Sequence, residues 1–260
     1  MSRMTILMYH IIDEPRAACE VKYCCTPKRF AEQMRYLRES GRPVVSLETL
    51  VDYLEGGKPC PDNAVVVTFD DGFSCTCENA LPILLRYGIP ATMFVLSDHI
   101  DGSNDWMHRR GFPEREMLSK RQLFDLKEAG LCLGSHTRTH PRLTEIGAED
   151  VADEVGKSKQ ILEEVLGQPV AYFAYPHGLY DEAIREAVAE AGYRAACSTR
   201  SGFNRVNADR FALRRIEVYG SDSLWKFRQK LKFGTNDVSL LFPAKYYAAR
   251  LAARLRNLAG

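Results

Sequence analysis

The chain has 260 residues, of which 45% are hydrophobic and 27% charged, and its formal net charge is +1. That balance is ordinary for a soluble globular protein, with length enough for one barrel-sized α/β domain or two smaller ones. It offers no basic field for nucleic acid, and no run approaches the roughly 18–20 apolar residues of a membrane span.

The stretch before His10 is too short for a signal peptide and has no small-residue cleavage site, which points to the cytoplasm. Thr5–Tyr9 reads as a strand. Thr26 caps and Pro27 opens a helix through about Arg38 that stops at Gly41. Pro43–Val45 reads as a short strand, and Ser46–Leu54 as a short helix ended by Gly56-Gly57. Ala64–Phe69 is a strand, followed by a helix over Glu78–Tyr87 with Pro82 in its first turns. Ala91–Leu96 is a strand, and Ser97–Met117 a long irregular stretch. The capping box Ser119-x-x-Gln122 starts a helix to Ala129. A strand over Leu131–Gly134 and a helix from about Ala148 to Leu166 come next. They are followed by a strand over Val170–Tyr175, a helix over Asp181–Ala191, and strands over Tyr193–Cys197 and near Phe211–Ile216.

Strands alternating with helices imply parallel pairing, and polar residues cluster just after the strands. Both features fit a closed or nearly closed barrel whose chemistry sits at the strands' C-terminal ends. An open nucleotide-binding sheet lacks support, because no G-x-G-x-x-G follows the first strand. The eight cysteines are irregularly spaced and are expected as thiols, with no paired C-x2-C motif for a thiolate metal.

Two strand ends carry the chemistry. Val65-Val66-Val67 runs into Thr68-Phe69-Asp70-Asp71-Gly72, and Leu131-Cys132-Leu133 runs towards Ser135-His136-Thr137-Arg138-Thr139-His140. One Asp and two His make a three-ligand site with an open position, the pattern of a hydrolytic rather than a structural metal centre. The other Asp is left as a base. Pro141 argues against a long helix through His136-x3-His140, so the pair is expected on a tight loop or single turn. Two adjacent carboxylates repel unless a cation offsets them, and Gly72 lets the backbone turn away.

T-F-D-D-G followed by S-H-T-x-x-H resembles the polysaccharide deacetylase family (carbohydrate esterase family 4, the nodulation-type chitooligosaccharide deacetylase homology domain). The likeness runs from about Thr5 to Val218 and includes Tyr87–Val95 and Phe173-Ala174-Tyr175-Pro176-His177-Gly178. It implies a distorted (β/α)7 barrel in residues 1–218 that hydrolyses the acetamide of an acetylated amino sugar with a divalent metal, zinc foremost. By the same resemblance Asp70 is the catalytic base and Asp71, His136 and His140 are the metal ligands. The His177 backbone N–H is the oxyanion donor, with Tyr175 beside it.

The chain departs from that family at Ala174, where members typically carry an Arg that pairs with the catalytic Asp. Arg214 or Arg215 are the candidate replacements. No L-x-H supplies the usual general acid near the end of the domain, so His10, closing the first strand, is the candidate acid, as in the exopolysaccharide branch. Trp106 is a candidate either to stack on a sugar or to pack its loop. Residues 219–260 form a basic, amphipathic extension whose helix over Lys245–Leu258 is a candidate for peripheral membrane contact or for packing on its own domain. Competing functions are an O-acetyl esterase, a cyclic-amide hydrolase with the same site, and a non-catalytic carbohydrate-binding barrel.

Overall fold

The computed structural model describes residues 3–239 together with Leu241, Phe242, Ala244, Tyr246 and Tyr247. Seven strands form one parallel sheet: β1 (Thr5–Tyr9), β2 (Val65–Phe69), β3 (Ala91–Val95), β4 (Cys132–Ser135), β5 (Tyr172–Ala174), β6 (Ala195–Cys197) and β7 (Arg215–Glu217). Their order is β6-β5-β4-β3-β2-β1-β7. The two edges meet across a seam, where Cys197 bridges Leu213 and Arg215 N–H donates to the Arg200 carbonyl at 3.0 Å. The result is the nearly closed, distorted (β/α)7 barrel that the resemblance implies.

Helices cover the outside. α1 (Pro27–Glu39) and α2 (Leu47–Leu54) join β1 to β2, and α3 (Ser74–Tyr87) joins β2 to β3. α4 (Lys120–Glu128), α5 (Ala148–Leu166) and α6 (Glu182–Glu190) follow β3, β4 and β5, and α7 (Leu224–Phe233) follows β7. Between β6 and β7 the chain runs as a loop over 198–214, and this is where the barrel is irregular. Helix starts are set by side chains accepting from backbone N–H groups: Thr26, Ser46, Asp181 and Ser223, plus the reciprocal Ser119–Gln122 box. Each such cap contributes about 1 kcal/mol.

Strand alternation sorts every side chain to one of two cores. Leu7, Tyr9, Val65, Val67, Phe69, Met93, Val95, Leu133 and Phe173 face the helices. Ile6, Val66, Phe94, Tyr172, Ala174, Ala195 and Cys197 face the barrel interior, closed at one end by Leu47, Leu50 and Val51 of α2. Phe94 fills that interior because Gly134 faces it: a Cβ there would lie 2.6 Å from the Phe94 ring.

Several elements differ from expectation. Pro43–Val45 makes only an isolated bridge to Val65. α3 begins at Ser74 rather than Glu78, which puts Pro82 in its interior. Tertiary bonds start it early, since Thr76 Oγ1 donates to the His10 carbonyl at 3.1 Å and Ser74 Oγ meets Glu78. The last strand is three residues, Arg215–Glu217, because Phe211 and Leu213 pack at the seam instead. α7 was not foreseen. It packs into the same core as the barrel, with Phe227 and Leu231 buried. The basic helix expected over 245–258 lies, apart from Tyr246 and Tyr247, outside the described residues. Phe242 and Tyr246 pack on Phe233, at 5.5 and 4.8 Å between ring centroids. Among the described residues no helix is long and apolar enough to cross a membrane.

Candidate metal centre and active site

Period-two alternation aims the key side chains inward. Asp70 continues the series Val66, Thr68; His136 continues Cys132, Gly134; and His10 continues Ile6, Met8. Asp71 would then point outward, but its backbone turns left-handed (φ 71°) ahead of Gly72 (φ 86°) and brings the carboxylate back to the centre. Thr137 (φ 72°), His140 (φ 63°) and His177 (φ 58°) are left-handed too, so four of the six non-glycine residues with positive φ among the described residues cluster here. Such backbone persists where surrounding bonds over-determine it, and it concentrates at functional sites.

Asp71, His136 and His140 each offer a donor atom, all within 4.8 Å of one another. Asp71 Oδ1 lies 3.5 Å from His136 Nε2 and 3.4 Å from His140 Nε2. Ligands about 2.0–2.1 Å from a tetrahedral zinc are about 3.3–3.4 Å apart, so these edges suit such an ion. Asp71 Oδ1 is buried with no hydrogen-bond partner, which is costly unless something else satisfies it. His136 Nδ1 lies 2.7 Å from the Ala174 carbonyl; donating there fixes the tautomer and leaves Nε2 as a lone pair aimed at the centre. The residues present fit a divalent cation.

Asp70, 4.0 Å from His136 Nε2, is paired with Arg215, whose Nη1 and Nη2 donate to Oδ1 and Oδ2 at 2.6 and 2.7 Å, both groups buried. Burial alone would raise the Asp70 carboxyl, but the Arg215 charge outweighs it and holds it below the ordinary value. Arg214 instead faces Ser201 and Asn204, so of the two candidates only Arg215 reaches Asp70. For Asp71, burial is likewise outweighed by the neighbouring His136 and His140 imidazoles, which lower its carboxyl. Burial would push His136 down, but Asp70 and Asp71 raise it. His140, buried and crowded by His136 and His177, drops to about 3 despite Asp71. A dication held by these three donors would displace the proton that the raised His136 imidazole retains.

The ligand loop 136–140 is irregular, as its Pro141 suggests. Glu154 of α5 supports it, accepting from Arg138 N, Thr139 N and Thr139 Oγ1 at 2.8, 3.0 and 2.7 Å. Sequence reading missed Glu154, though a signal was present. It interrupts the buried face Val151, Val155, Leu162 of an amphipathic helix, and a carboxylate there needs a partner.

A cavity of about 240 Å³ opens over the centre, walled by His10, Tyr23, Trp106, Arg110, His177 and Glu217. Trp106 packs its ring 4.5 Å from His99, and the same ring lies 5.8 Å from His140 on the cavity wall. His177 stands 4.7 Å from His140, and its N–H finds no backbone acceptor among the described residues. Tyr175 is a correction. Alternation in β5 puts Ala174 inside and Tyr175 outside, fully buried with its hydroxyl donating to the Phe211 carbonyl at 3.0 Å, so it does not line the cavity.

Residues 57–196, more than half the chain, match the family model described as polysaccharide deacetylase. The chain belongs to the polysaccharide deacetylase family. Among curated relatives, the poly-beta-1,6-N-acetyl-D-glucosamine N-deacetylase of Staphylococcus epidermidis is 28% identical over 209 residues, covering 76% of this chain and 70% of that protein. Among solved structures, IcaB from Ammonifex degensii is 25% identical with a TM-score of 0.77, covering 90% of this chain and 97% of that one. The Streptococcus pyogenes deacetylase PplD, solved with acetate, shares the fold at 24% identity and a TM-score of 0.75, covering 90% and 98%. Within this polysaccharide deacetylase the family match holds Asp70, Asp71, His136, His140 and His177. His10, Arg215 and Glu217 come from β1 and β7, outside it.

Proposed function

We propose that this polysaccharide deacetylase family member is a metal-dependent N-deacetylase of an acetylated amino sugar, presented in a polysaccharide, an oligosaccharide or a glycoconjugate precursor. The observation carrying the reading is the buried, unpartnered Asp71 Oδ1 facing two imidazoles while the adjacent Asp70 is paired with Arg215. The substrate named for the S. epidermidis relative supports it.

Asp71, His136 and His140 would hold the cation, with zinc favoured by the His/Asp donor set and the tetrahedral edge lengths. Bound there, the ion supplies Lewis acidity, polarising an acyl oxygen and lowering the pKa of water. Asp70 takes the proton of the attacking water, its carboxylate held in one orientation by the Arg215 fork. The free His177 N–H stabilises the oxygen that becomes negative at the acyl carbon. His10, on the facing wall, gives a proton to the departing nitrogen, so amide and water become amine and acetate. The cavity is small beside the roughly 300–1,000 Å³ of typical ligand sites and suits one sugar ring at a time.

Acetate release from β-1,6-linked N-acetylglucosamine oligomers, sugar O-acetyl esters and cyclic ureides tests the reading. Turnover of the sugar amide is expected; turnover of only the ester or only the ureide overturns it. Because Arg215 supplies the guanidinium missing at Ala174, no observation favours a non-catalytic barrel.

A further inference from the structure

A second cavity, of about 390 Å³, lies on the seam loop 198–214, lined by Tyr180, Arg200, Asn204, Arg205, Asp209 and Arg214 among others. It adjoins the catalytic one: Thr199 lines the first and Arg200 the second. The Arg200 guanidinium lies 5.2 Å from the centroid of Tyr180, and Tyr180 stacks on the buried Tyr175 at 4.5 Å. Arg214 is pinned at its backbone by the Asn204 side chain, N to Oδ1 3.0 Å and O to Nδ2 2.9 Å, while its Nη1 donates to the Ser201 carbonyl at 3.2 Å. Both guanidiniums are thus steered rather than free to wander. The one carboxylate in the lining, Asp209, already accepts from Phe211 N at 2.9 Å and Arg185 Nη1 at 3.1 Å. Arg200 and Arg214, both exposed, therefore line, with Arg205, a hollow that the deacetylation chemistry does not use.

We propose that this hollow binds a phosphate ester, and that the ester is a substituent of the same sugar deacetylated in the neighbouring cavity. The substrate class becomes an acetylated amino sugar carrying phosphate or diphosphate, an inference that rests on the deacetylase reading. Planar guanidinium forks match oxyanion edges, and a tetrahedral phosphate offers several such edges where a carboxylate offers one.

The test compares N-acetylglucosamine 1-phosphate with N-acetylglucosamine, which share ring and amide. Wild-type KM is expected to be at least tenfold lower for the phosphorylated sugar. Arg200→Gln and Arg214→Gln are each expected to raise that KM at least fivefold, leaving kcat and the KM for the neutral sugar within twofold. Equal wild-type KM values, or variants that impair both sugars alike, overturn the proposal. If neither sugar turns over, the deacetylase reading is what fails. Calorimetry with inorganic pyrophosphate on the His140→Ala protein, whose cation site is disabled, then decides the pocket separately. Binding weakened tenfold by Arg214→Gln supports it, and no binding overturns it. Flotation with phosphatidylglycerol vesicles, lost on Arg214→Gln while N-acetylglucosamine 1-phosphate has no effect on KM, assigns the pocket to a lipid headgroup and overturns the substrate claim.

Discussion

Asp70 sits between the Arg215 guanidinium and the His136 imidazole, whose Nε2 is 4.0 Å away, so its role depends on which neighbour it answers to. Asp70→Asn keeps the shape and the trio of donors. Metal content should be unchanged while acetate release falls about 10²–10⁴-fold, the usual range for a lost general base; release at the wild-type rate would remove Asp70 from the chemistry. His136→Ala should lose both metal and turnover, read by metal analysis of the purified protein. Arg215→Lys keeps a charge but not the two-pronged geometry, and kcat should fall about tenfold with KM within twofold, since orientation rather than binding is lost. A KM effect without a kcat effect would argue that Arg215 serves the substrate instead.

At the scale of elements, the centre is set by loops that rigid elements hold. Glu154 reaches from α5 to three donors of the ligand loop, so Glu154→Ala should leave the circular dichroism spectrum intact while weakening metal affinity about 10–100-fold. Titrating the metal into both proteins checks this. A second clamp ties the loop after β1 to the long stretch before α4. Arg115 Nε and Nη2 donate to Glu20 at 2.5 and 2.9 Å, and Nη1 to Asp13 at 2.7 Å. Burial would raise the Glu20 carboxyl, but Arg115 outweighs it and holds it low. A depressed carboxyl stabilises the fold above its unfolded pKa of about 4.3 and loses that contribution as pH falls through the folded value. Glu20→Gln should therefore lower Tm at pH 7, with the gap to wild type closing as the pH drops below 4.

Much of this was legible in the chain. The four candidate residues Asp70, Asp71, His136 and His140 fall just after strands, and apolar runs mark those strands clearly. His10 follows from the same logic. What stayed hidden depends on register and on distant partners. Tyr175 was misplaced because Val170–Tyr175 reads apolar throughout and does not reveal which parity faces inward. β7 was misjudged because Phe211 and Leu213 are as apolar as a strand yet belong to the seam. α7 had its signals in Ser223, the Leu224, Phe227, Leu231 spacing and Gly234, but a lysine-rich composition masked them.

For the whole molecule, β1 and β7 matter as much as the strands the family match covers, because they deliver His10, Arg215 and Glu217. α7 locks that side: Lys230 Nζ is buried on Asp222 and on the Glu217 carbonyl, at 2.5 and 2.6 Å, with Tyr219 beneath it at 3.8 Å. Phe227→Ala should cost about 3–5 kcal/mol in denaturant unfolding, as for other large core side chains; a loss under 1 kcal/mol would mean that α7 is peripheral.

The glycine opposite Phe94 has a reach that its chemistry does not advertise. The Phe94 ring lies 5.5 Å under the Arg215 guanidinium, so it is the floor on which the Asp70 partner rests. Adding a single methyl by Gly134→Ala would press that floor upward. Damage to hydrolysis would then originate at a residue that has no side chain of its own.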